Sequence, residues 1–245
     1  MNAVAKLHPR LHLGGSALLV EVGLRMSVPN GRAPSMPWLL IAEGASTDAD
    51  AFYSEGKHEK ALAIWRSLAD EGDASAQNNL GVMHARGEGV ARNLAAAVDW
   101  VGLSARQDLA TAQYNIGFMT AQGAGVSRDK PLAAQWMRKA AEQGHAAAQS
   151  TLGMLHLLGD GVAEDAAEAT RWLLEAANQG EAKAQYLLGS IYEEGLGCDV
   201  DLTGAFKWYR QAALQDHRQA AEKLLELCAR NPALRMPASD LLDRN

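Results

Sequence analysis

The sequence repeats with a period of 36 residues, and this spacing constrains the fold more than any single residue does. Three residue types recur at that interval: Ala76, Ala112, Ala148, Ala184 and Ala220; Gly81, Gly117, Gly153 and Gly189; and Trp100, Trp136, Trp172 and Trp208. A period of about 20 to 50 residues is typical of solenoids, in which each unit buries its apolar face by stacking on its neighbours. The period therefore predicts one elongated, quasi-linear array.

Each unit is predicted to contain two helices joined by a glycine-rich loop. In the first full unit, residues 75–86 are the predicted inner helix and residues 94–106 the predicted outer helix, with Gly87 and Gly89 between them. Glycine at such a position adopts the left-handed conformation that ends a helix. Asn93 directly precedes the outer helix, so we expect it to be an N-cap, as are its equivalents Asp129, Asp165 and Asp201. We expect the tryptophans to be buried and the mid-helix glycines to mark close helix contacts.

The array is predicted to span residues 47–230, with a half-size unit first and an inner-type helix last. Residues 1–46 lack the repeat and carry four of the seven prolines, which predicts an irregular extension. This extension is interpreted either as a secretory signal or as a segment before the true start, for which Met26 and Met36 are candidates. Its apolar stretch is short and no A-x-A site follows it. We therefore favour a cytoplasmic protein over a periplasmic or secreted one. Residues 231–245 are predicted to be a loosely ordered tail.

Composition argues against several classes of function. Residues 47–245 carry 19 basic and 27 acidic side chains, which makes nucleic acid an unfavourable partner because phosphate binding requires a clustered positive surface. An uncharged apolar run of 18 residues, the length of a membrane-spanning helix, does not occur in the sequence. Two cysteines, Cys198 and Cys228, are too few for a disulfide scaffold, and we favour buried, unreactive thiols over a bridge.

The sequence shows no pattern that predicts catalysis, a cofactor or a metal ion. His84 and His156 share one repeat column and His145 and His217 another, which separates the members of each pair by roughly 20 Å, two packed repeats. That distance is too long for a shared metal ion. Each G-x-G follows a predicted helix instead of preceding one, so none is a phosphate-binding loop. We therefore predict a protein that is not an enzyme.

The repeat resembles the Sel1-like repeat family, a longer relative of the tetratricopeptide repeat. One unit carries the pattern as AQSTLG at 148–153, GDGV at 159–162, ATRW at 169–172 and AANQG at 176–180. Asp108 and Asp216 replace the closing glycine found at Gly72, Gly144 and Gly180, so the helix ends there are expected to differ slightly. The resemblance implies an all-α, right-handed superhelical solenoid of antiparallel helix pairs. It also implies an adaptor that binds a partner protein or peptide.

In that family the inner helices line the concave face. The positions predicted to face inward, and therefore to bind a partner, are Asn78, Val82, Tyr114, Phe118, Ser150, Met154, Tyr186 and Ser190. Aromatic and methionine side chains are common in peptide recognition, but they also pack between helices. We give the two interpretations equal weight for Tyr114, Phe118 and Tyr186, and favour packing for Val82.

Two other functions remain open at this point. One branch of the same family has been linked to binding and hydrolysis of β-lactams, but it carries a cysteine pair in each repeat, which this sequence lacks. The array could also be a structural spacer that sets a distance and binds nothing on its concave face. The aromatic residues at inward-facing positions argue weakly against a spacer.

Overall fold

The structure, a computed structural model, describes residues 36–234. The range contains eleven α-helices and no strand. In chain order these are α1 (Thr47–Ser54), α2 (His58–Asp70), α3 (Ala74–Arg86), α4 (Leu94–Arg106), α5 (Ala110–Gln122), α6 (Lys130–Glu142), α7 (Ala146–Leu158), α8 (Ala166–Asn178), α9 (Ala182–Glu194), α10 (Leu202–Ala213) and α11 (Arg218–Arg230). A short 3₁₀ turn, Pro232–Leu234, follows α11.

Each helix packs against the next, so the chain forms a solenoid of antiparallel helix pairs, as the sequence predicts. The pairs α3–α4, α5–α6, α7–α8 and α9–α10 are the full units; α1–α2 precedes them and α11 closes the array. The first helices of the first two full units, α3 and α5, also approach each other. We call the side of the solenoid carried by α3, α5, α7 and α9 the inner face.

The helix ends follow the predicted capping chemistry. The last turn of α7 ends at Gly159, whose φ of 62° lies in the left-handed region. The Asp165 carboxylate accepts hydrogen bonds from the amides of Ala167 and Glu168 at the start of α8, both at 3.0 Å. Asp108 and Asp216 also adopt a φ of 62°, although they are not glycine. The helix ends therefore differ slightly, as expected: φ is 84° at Gly144 and 91° at Gly180, and α10 ends one residue earlier in its repeat than α8 does. Aspartate tolerates the left-handed conformation better than most side chains, so the overall course of the chain is kept.

The mid-helix glycines mark the closest contacts between the two helices of a unit, which confirms the prediction. A Cβ atom added at Gly153 in α7 would lie 2.7 Å from Leu173 Cγ and 3.0 Å from the Ala169 carbonyl oxygen in α8. Those distances are shorter than van der Waals contact, so only glycine fits without displacement of a neighbour. The close approach compensates for the low helix propensity of glycine.

Two glycine substitutions are expected to change stability in opposite directions. Gly153→Ala should lower the free energy of unfolding by about 1–3 kcal/mol, because the added methyl group overpacks the α7–α8 contact. Gly102 in α4 is the matched control, since a Cβ there would meet only the Arg106 guanidinium, at 3.5 Å. Gly102→Ala should raise the free energy of unfolding by about 0.5–1 kcal/mol through helix propensity. Urea denaturation of both variants measures the difference; equal effects at the two positions would contradict the packing argument.

The tryptophan column is less buried than predicted. Only Trp172 is buried, with 4% of its surface exposed, whereas Trp100, Trp136 and Trp208 are half-buried, so the prediction is wrong for those three. The buried column lies one residue later and varies in type: Trp65, Val101, Met137, Leu173 and Tyr209. This is the column that contacts the mid-helix glycines, as Leu173 contacts Gly153.

A repeated glutamine pair joins each unit to the one before it. The Gln149 side chain in α7 donates to the Ala141 carbonyl in α6 at 3.1 Å and accepts from Gln179, at the end of α8, at 2.7 Å. The same two bonds recur at Gln77, Gln113 and Gln185, whose amide oxygens accept from Gln107, Gln143 and Gln215. Each bond connects only sequence neighbours, so coupling between units is local.

Candidate functional site

The predicted partner-binding residues lie on the inner helices, but most of them are buried. Six of the eight positions are buried, at Asn78, Val82, Tyr114, Phe118, Ser150 and Met154, and the other two, Tyr186 and Ser190, are half-buried. The interpretation of Val82 as a packing residue agrees with its complete burial. Each of the six exposes only a small fraction of its surface to solvent, so other parts of the chain cover them.

The inner face of α3 and α5 is covered by the chain's own residues 36–45, which we call the N-terminal segment. This segment contains neither helix nor strand, and it lies on the repeats with Met36, Leu39 and Ala42 buried. The predicted boundary at residue 46 therefore coincides with the start of helical structure, where Ser46 caps α1, but not with the edge of the packed core. The rest of the predicted extension, residues 1–35, lies outside the described residues, as does the tail beyond residue 234.

Two asparagines hold the backbone of the N-terminal segment. The Asn115 side chain in α5 accepts from the Leu40 amide at 2.8 Å and donates to the Leu40 carbonyl at 2.7 Å. The Asn79 side chain in α3 does the same with Ala42, at 2.7 Å and 2.8 Å. Each amide thus satisfies both backbone groups of one residue, as the edge of a β-strand would.

A third asparagine links these two into one network. Asn78 donates to the Leu40 carbonyl at 2.9 Å and to Asn79 Oδ1 at 3.1 Å, and its own oxygen accepts from Asn115 at 2.8 Å. All three asparagines are completely buried. Burial of so many amide groups is favourable only when they are hydrogen-bonded, and each of these side chains is. The network is therefore a built receptor for the backbone of residues 40–42.

Arg86, at the end of α3, provides a charged contact to the same segment. Its guanidinium donates to the Leu39 carbonyl at 2.5 Å and to the Tyr53 hydroxyl at 2.7 Å. Tyr53 in turn donates to the Glu88 carboxylate at 2.6 Å. Burial, together with that carboxylate, raises the pKa of Tyr53 to about 12, so its hydroxyl remains protonated and able to donate at neutral pH.

Apolar side chains of the segment pack against the predicted site residues. Leu39 is completely buried in the same apolar cluster as Val82, between α3, α4 and α5. The Trp38 ring stacks on Phe118, with 6.4 Å between ring centroids. Phe118 also contacts Tyr114 edge to face at 4.9 Å. Four of the predicted positions, in α3 and α5, therefore belong to the surface around a bound segment.

The inner face of the third and fourth units has a different composition. Met154 is buried in the apolar cluster between α7, α8 and α9, so it packs within the array. Tyr186 stacks on His217 at 4.9 Å and lies beside Tyr209. Ser190 is 3.1 Å from the Tyr209 hydroxyl, which donates to Glu193 at 2.8 Å. Here the half-buried Tyr186 and Ser190 form the accessible continuation of the inner face.

Asn79 and Asn115 were missed among the predicted site residues, although the sequence carries a signal for them. They occupy equivalent positions, 36 residues apart, near the middle of two predicted inner helices. Asparagine is a poor helix former and rarely lies buried in a helix without a specific hydrogen-bond partner. Two such residues at one repeat position indicate a shared polar contact, but the partner is a non-repeating segment that the period does not identify.

The histidines and cysteines do not assemble a reactive centre. No group of three or more His, Cys, Asp or Glu side chains between residues 36 and 234 is arranged to hold a metal ion. Cys198 is exposed, contrary to the expectation of a buried thiol, and Cys228 is half-buried; a disulfide does not join them. Partial burial and the nearby Asp199 and Asp201 carboxylates raise the pKa of the Cys198 thiol. None of the helices in this range is long and apolar enough to cross a membrane.

Stability is expected to fall in acid because neutral His145 caps α7. Its Nδ1 accepts from the Ala148 amide at 3.2 Å, and burial lowers the pKa of His145 below its ordinary value near 6.5. The unfolded chain therefore binds more protons as the pH falls, so stability present above about pH 6.5 is lost as the pH falls through the folded pKa. Burial lowers the pKa of His84 as well, in the same sense.

Urea denaturation at pH 7 and pH 5 measures this loss. His145→Asn is the informative variant, because asparagine keeps a side-chain acceptor at the N-cap and does not titrate. The variant should lose less stability than the wild type between the two pH values, while His84 maintains a remaining dependence. An unchanged pH dependence in His145→Asn would exclude the cap as its source.

Comparison with known proteins identifies the repeat. The family profile described as Sel1 repeat matches four consecutive stretches, at residues 74–109, 110–145, 146–181 and 182–217. A search of curated proteins found no match.

Solved structures show the same architecture. A Sel1 repeat protein from Oxalobacter formigenes is 36% identical over 69% of this chain and 50% of its own, with a TM-score of 0.65. A protective antigen of uropathogenic Escherichia coli with the SLR fold is 30% identical over 74% of this chain and 40% of its own, with a TM-score of 0.68. An immunity protein from Pseudomonas aeruginosa is 25% identical over 79% of this chain and 74% of its own, with a TM-score of 0.50. The chain thus spans half or less of the length of the first two.

Proposed function

Because this chain belongs to the Sel1 repeat family, whose members commonly mediate protein–protein interactions, we propose that it is a non-catalytic adaptor that binds a partner protein or peptide on its inner face. The observation that carries the proposal is the receptor formed by Asn79 and Asn115, which already holds the backbone of Leu40 and Ala42 on this face, directly after a turn at residues 36–39. Backbone recognition by side-chain amides is a peptide-binding chemistry, and it requires no reacting group.

The accessible part of the inner face supplies the contact that we expect a partner to use. Tyr186 and Ser190 are half-buried and therefore present part of their surface. Tyrosine is enriched in interfaces because it offers a large rigid area and a polar tip. A spacer that binds nothing would not need a buried asparagine receptor or an aromatic inner face, so both features support an adaptor.

Affinity capture from the native host, followed by mass spectrometry, tests this function. The comparison uses the wild-type chain, Tyr186→Ala on the inner face and Leu103→Ala as a matched control, since Leu103 is an exposed apolar residue on the outer helix α4. A specific protein that is retained by Leu103→Ala and lost with Tyr186→Ala is the expected result. Capture that depends on Leu103 and not on Tyr186 would remove the inner face as the binding surface.

Catalysis is tested separately. Sel1 repeat proteins are generally non-catalytic scaffolds, and we propose the same for this chain. Purified protein is expected to leave the chromogenic β-lactam nitrocefin unchanged. Turnover that a single point substitution abolishes would instead support the hydrolase of the cysteine-rich branch.

A further inference from the structure

The N-terminal segment occupies the receptor in the manner of a ligand. We propose that the groove around Asn79 and Asn115 is an exchangeable peptide site: residues 38–42 fill it within the chain, and an extended apolar segment of a partner protein takes their place. This inference rests on the proposed adaptor function and specifies the chemistry of its partner.

Recognition of the backbone does not depend on the identity of the bound residues. Asn115 and Asn79 each form hydrogen bonds with the amide and the carbonyl of one residue, Leu40 and Ala42, which are groups that every residue except proline carries. Any extended chain presents these two groups on the same edge at every second residue. The groove is therefore equipped to accept another segment of the same conformation.

The two asparagines hold residues that are two apart in the segment. Asn79 and Asn115 are equivalent positions of neighbouring repeats, and they bind Ala42 and Leu40 respectively. The first unit holds Ala42 and the second unit holds Leu40, so the segment runs opposite to the order of the repeats. In this segment, one repeat thus corresponds to two residues, and a peptide that uses both asparagines is expected to bind in the same register.

The side-chain contacts define the kind of peptide that fits. Leu39 is completely buried and Ala42 is 3% exposed, whereas Leu40 and Ile41 are only half-buried. A ligand therefore needs a large aliphatic residue, followed three positions later by a small one. An aromatic residue directly before the aliphatic one can stack on Phe118, as Trp38 does. Arg86 binds a main-chain carbonyl and so adds no requirement for an acidic side chain.

The connection to the repeats permits exchange. Glu43 and Gly44 are exposed, and Gly44 has a φ of 92°, so the chain turns there between the segment and α1. The segment lies outside the four matched repeats, whose helix pairs and glutamine bonds do not include it. The short tether keeps the segment at an effective concentration in the millimolar range. A partner peptide therefore replaces the segment only if it binds the groove more tightly, or if the segment itself binds less tightly.

A labelled peptide with the sequence of residues 36–45 tests the exchange. In the full-length chain, Leu39→Asp places a carboxylate in the apolar pocket, which should release the segment and leave every groove residue intact. Fluorescence anisotropy should show that the peptide binds this variant at least about tenfold more tightly than the wild-type chain, where the tethered segment competes. The double variant Leu39→Asp, Asn115→Leu should lose at least about tenfold of that affinity. Equal binding to all three chains would overturn the proposal.

A second design does not depend on the folding of a segment variant. A protease recognition sequence inserted at Gly44 leaves the segment and the groove unchanged, and cleavage after folding converts the segment into a non-covalent ligand. Excess unlabelled peptide should then displace it, as measured by mass spectrometry after gel filtration. A cleaved segment that cannot be displaced overturns the exchange proposal. If a partner is nevertheless captured through Tyr186, the adaptor function stands and only the exchange is excluded. A wild-type dimer that dissociates on cleavage would also overturn it, in favour of a second copy as the occupant.

Discussion

Replacement of Trp172 by alanine is expected to lower the free energy of unfolding by about 3–5 kcal/mol, the usual effect of truncating a large core side chain. Trp172 is 4% exposed and packs in the cluster formed by α5, α6 and α7, with the Arg171 guanidinium 4.0 Å from its ring centroid. The indole therefore fills the contact between the second and third units. Its removal leaves a cavity that neighbouring helices can close only in part.

Trp136 provides the matched control for this prediction. It occupies the same repeat position in the preceding unit but is half-buried, and Lys139 lies over its ring at 4.7 Å. Trp136→Ala should therefore destabilise the protein clearly less than Trp172→Ala. Urea denaturation followed by circular dichroism compares the two variants. A larger effect at Trp136 would show that burial does not determine the contribution of this column.

Deletion of a whole unit should be tolerated, whereas deletion of half a unit should not. Removal of residues 146–181 takes out α7 and α8 and joins His145 to Ala182, so the histidine that caps α7 would cap α9 instead. Because coupling in a solenoid runs between neighbours, the shorter array should fold, with less helix and lower stability. Removal of residues 164–181 deletes α8 alone and leaves the apolar side of α7 without its partner, so cooperative unfolding should be lost.

Thermal unfolding followed by circular dichroism distinguishes these two deletions. One cooperative transition is expected for the 36-residue deletion, and a broad or absent transition for the 18-residue deletion. The 36-residue deletion retains Asn79 and Asn115, so it also leaves the receptor for the N-terminal segment in place. The repeat assignment would be contradicted if the 18-residue deletion variant unfolded cooperatively while the 36-residue deletion variant was unfolded.

The sequence predicts the helices well because the residues that begin and end each helix lie close to it in sequence. The first inner helix was expected at 75–86 and is found at Ala74–Arg86, and the following outer helix at 94–106 is found at Leu94–Arg106. The chemistry that ends these helices, glycine at Gly87 and an amide cap at Asn93, lies within a few residues of each end. Such signals do not require knowledge of tertiary packing.

The buried column was not recognised because its members differ in type. Val101 and Leu173 occupy equivalent positions, but they differ in residue type. The prediction relied on identical residues and therefore selected the tryptophans, one position earlier. Adjacent residues on a helix point about 100° apart, so an error of one position changes a core residue into a half-buried one. The size of the buried side chain is set by the space opposite each mid-helix glycine, which a periodic pattern does not specify.

The receptor could be predicted only in part. The inner helices were identified correctly, and Asn78 was among the predicted positions. Asn115 was missed because its partner, Leu40, lies 75 residues away in a segment without any repeat. A contact with a non-repeating segment leaves no periodic signal in the sequence. The asparagines in the helix interior indicate that a polar partner exists, but they do not identify it.

The same long separation has a consequence for the order in which the protein is made. Helix pairs and glutamine bonds join units that are neighbours in sequence, so each can form soon after its residues leave the ribosome. Leu40 must wait for Asn115, 75 residues later, which is about 4–15 s at ordinary rates of synthesis. During that interval a newly made segment rich in apolar residues has no complete receptor, and its final position is reached only after the second unit has folded.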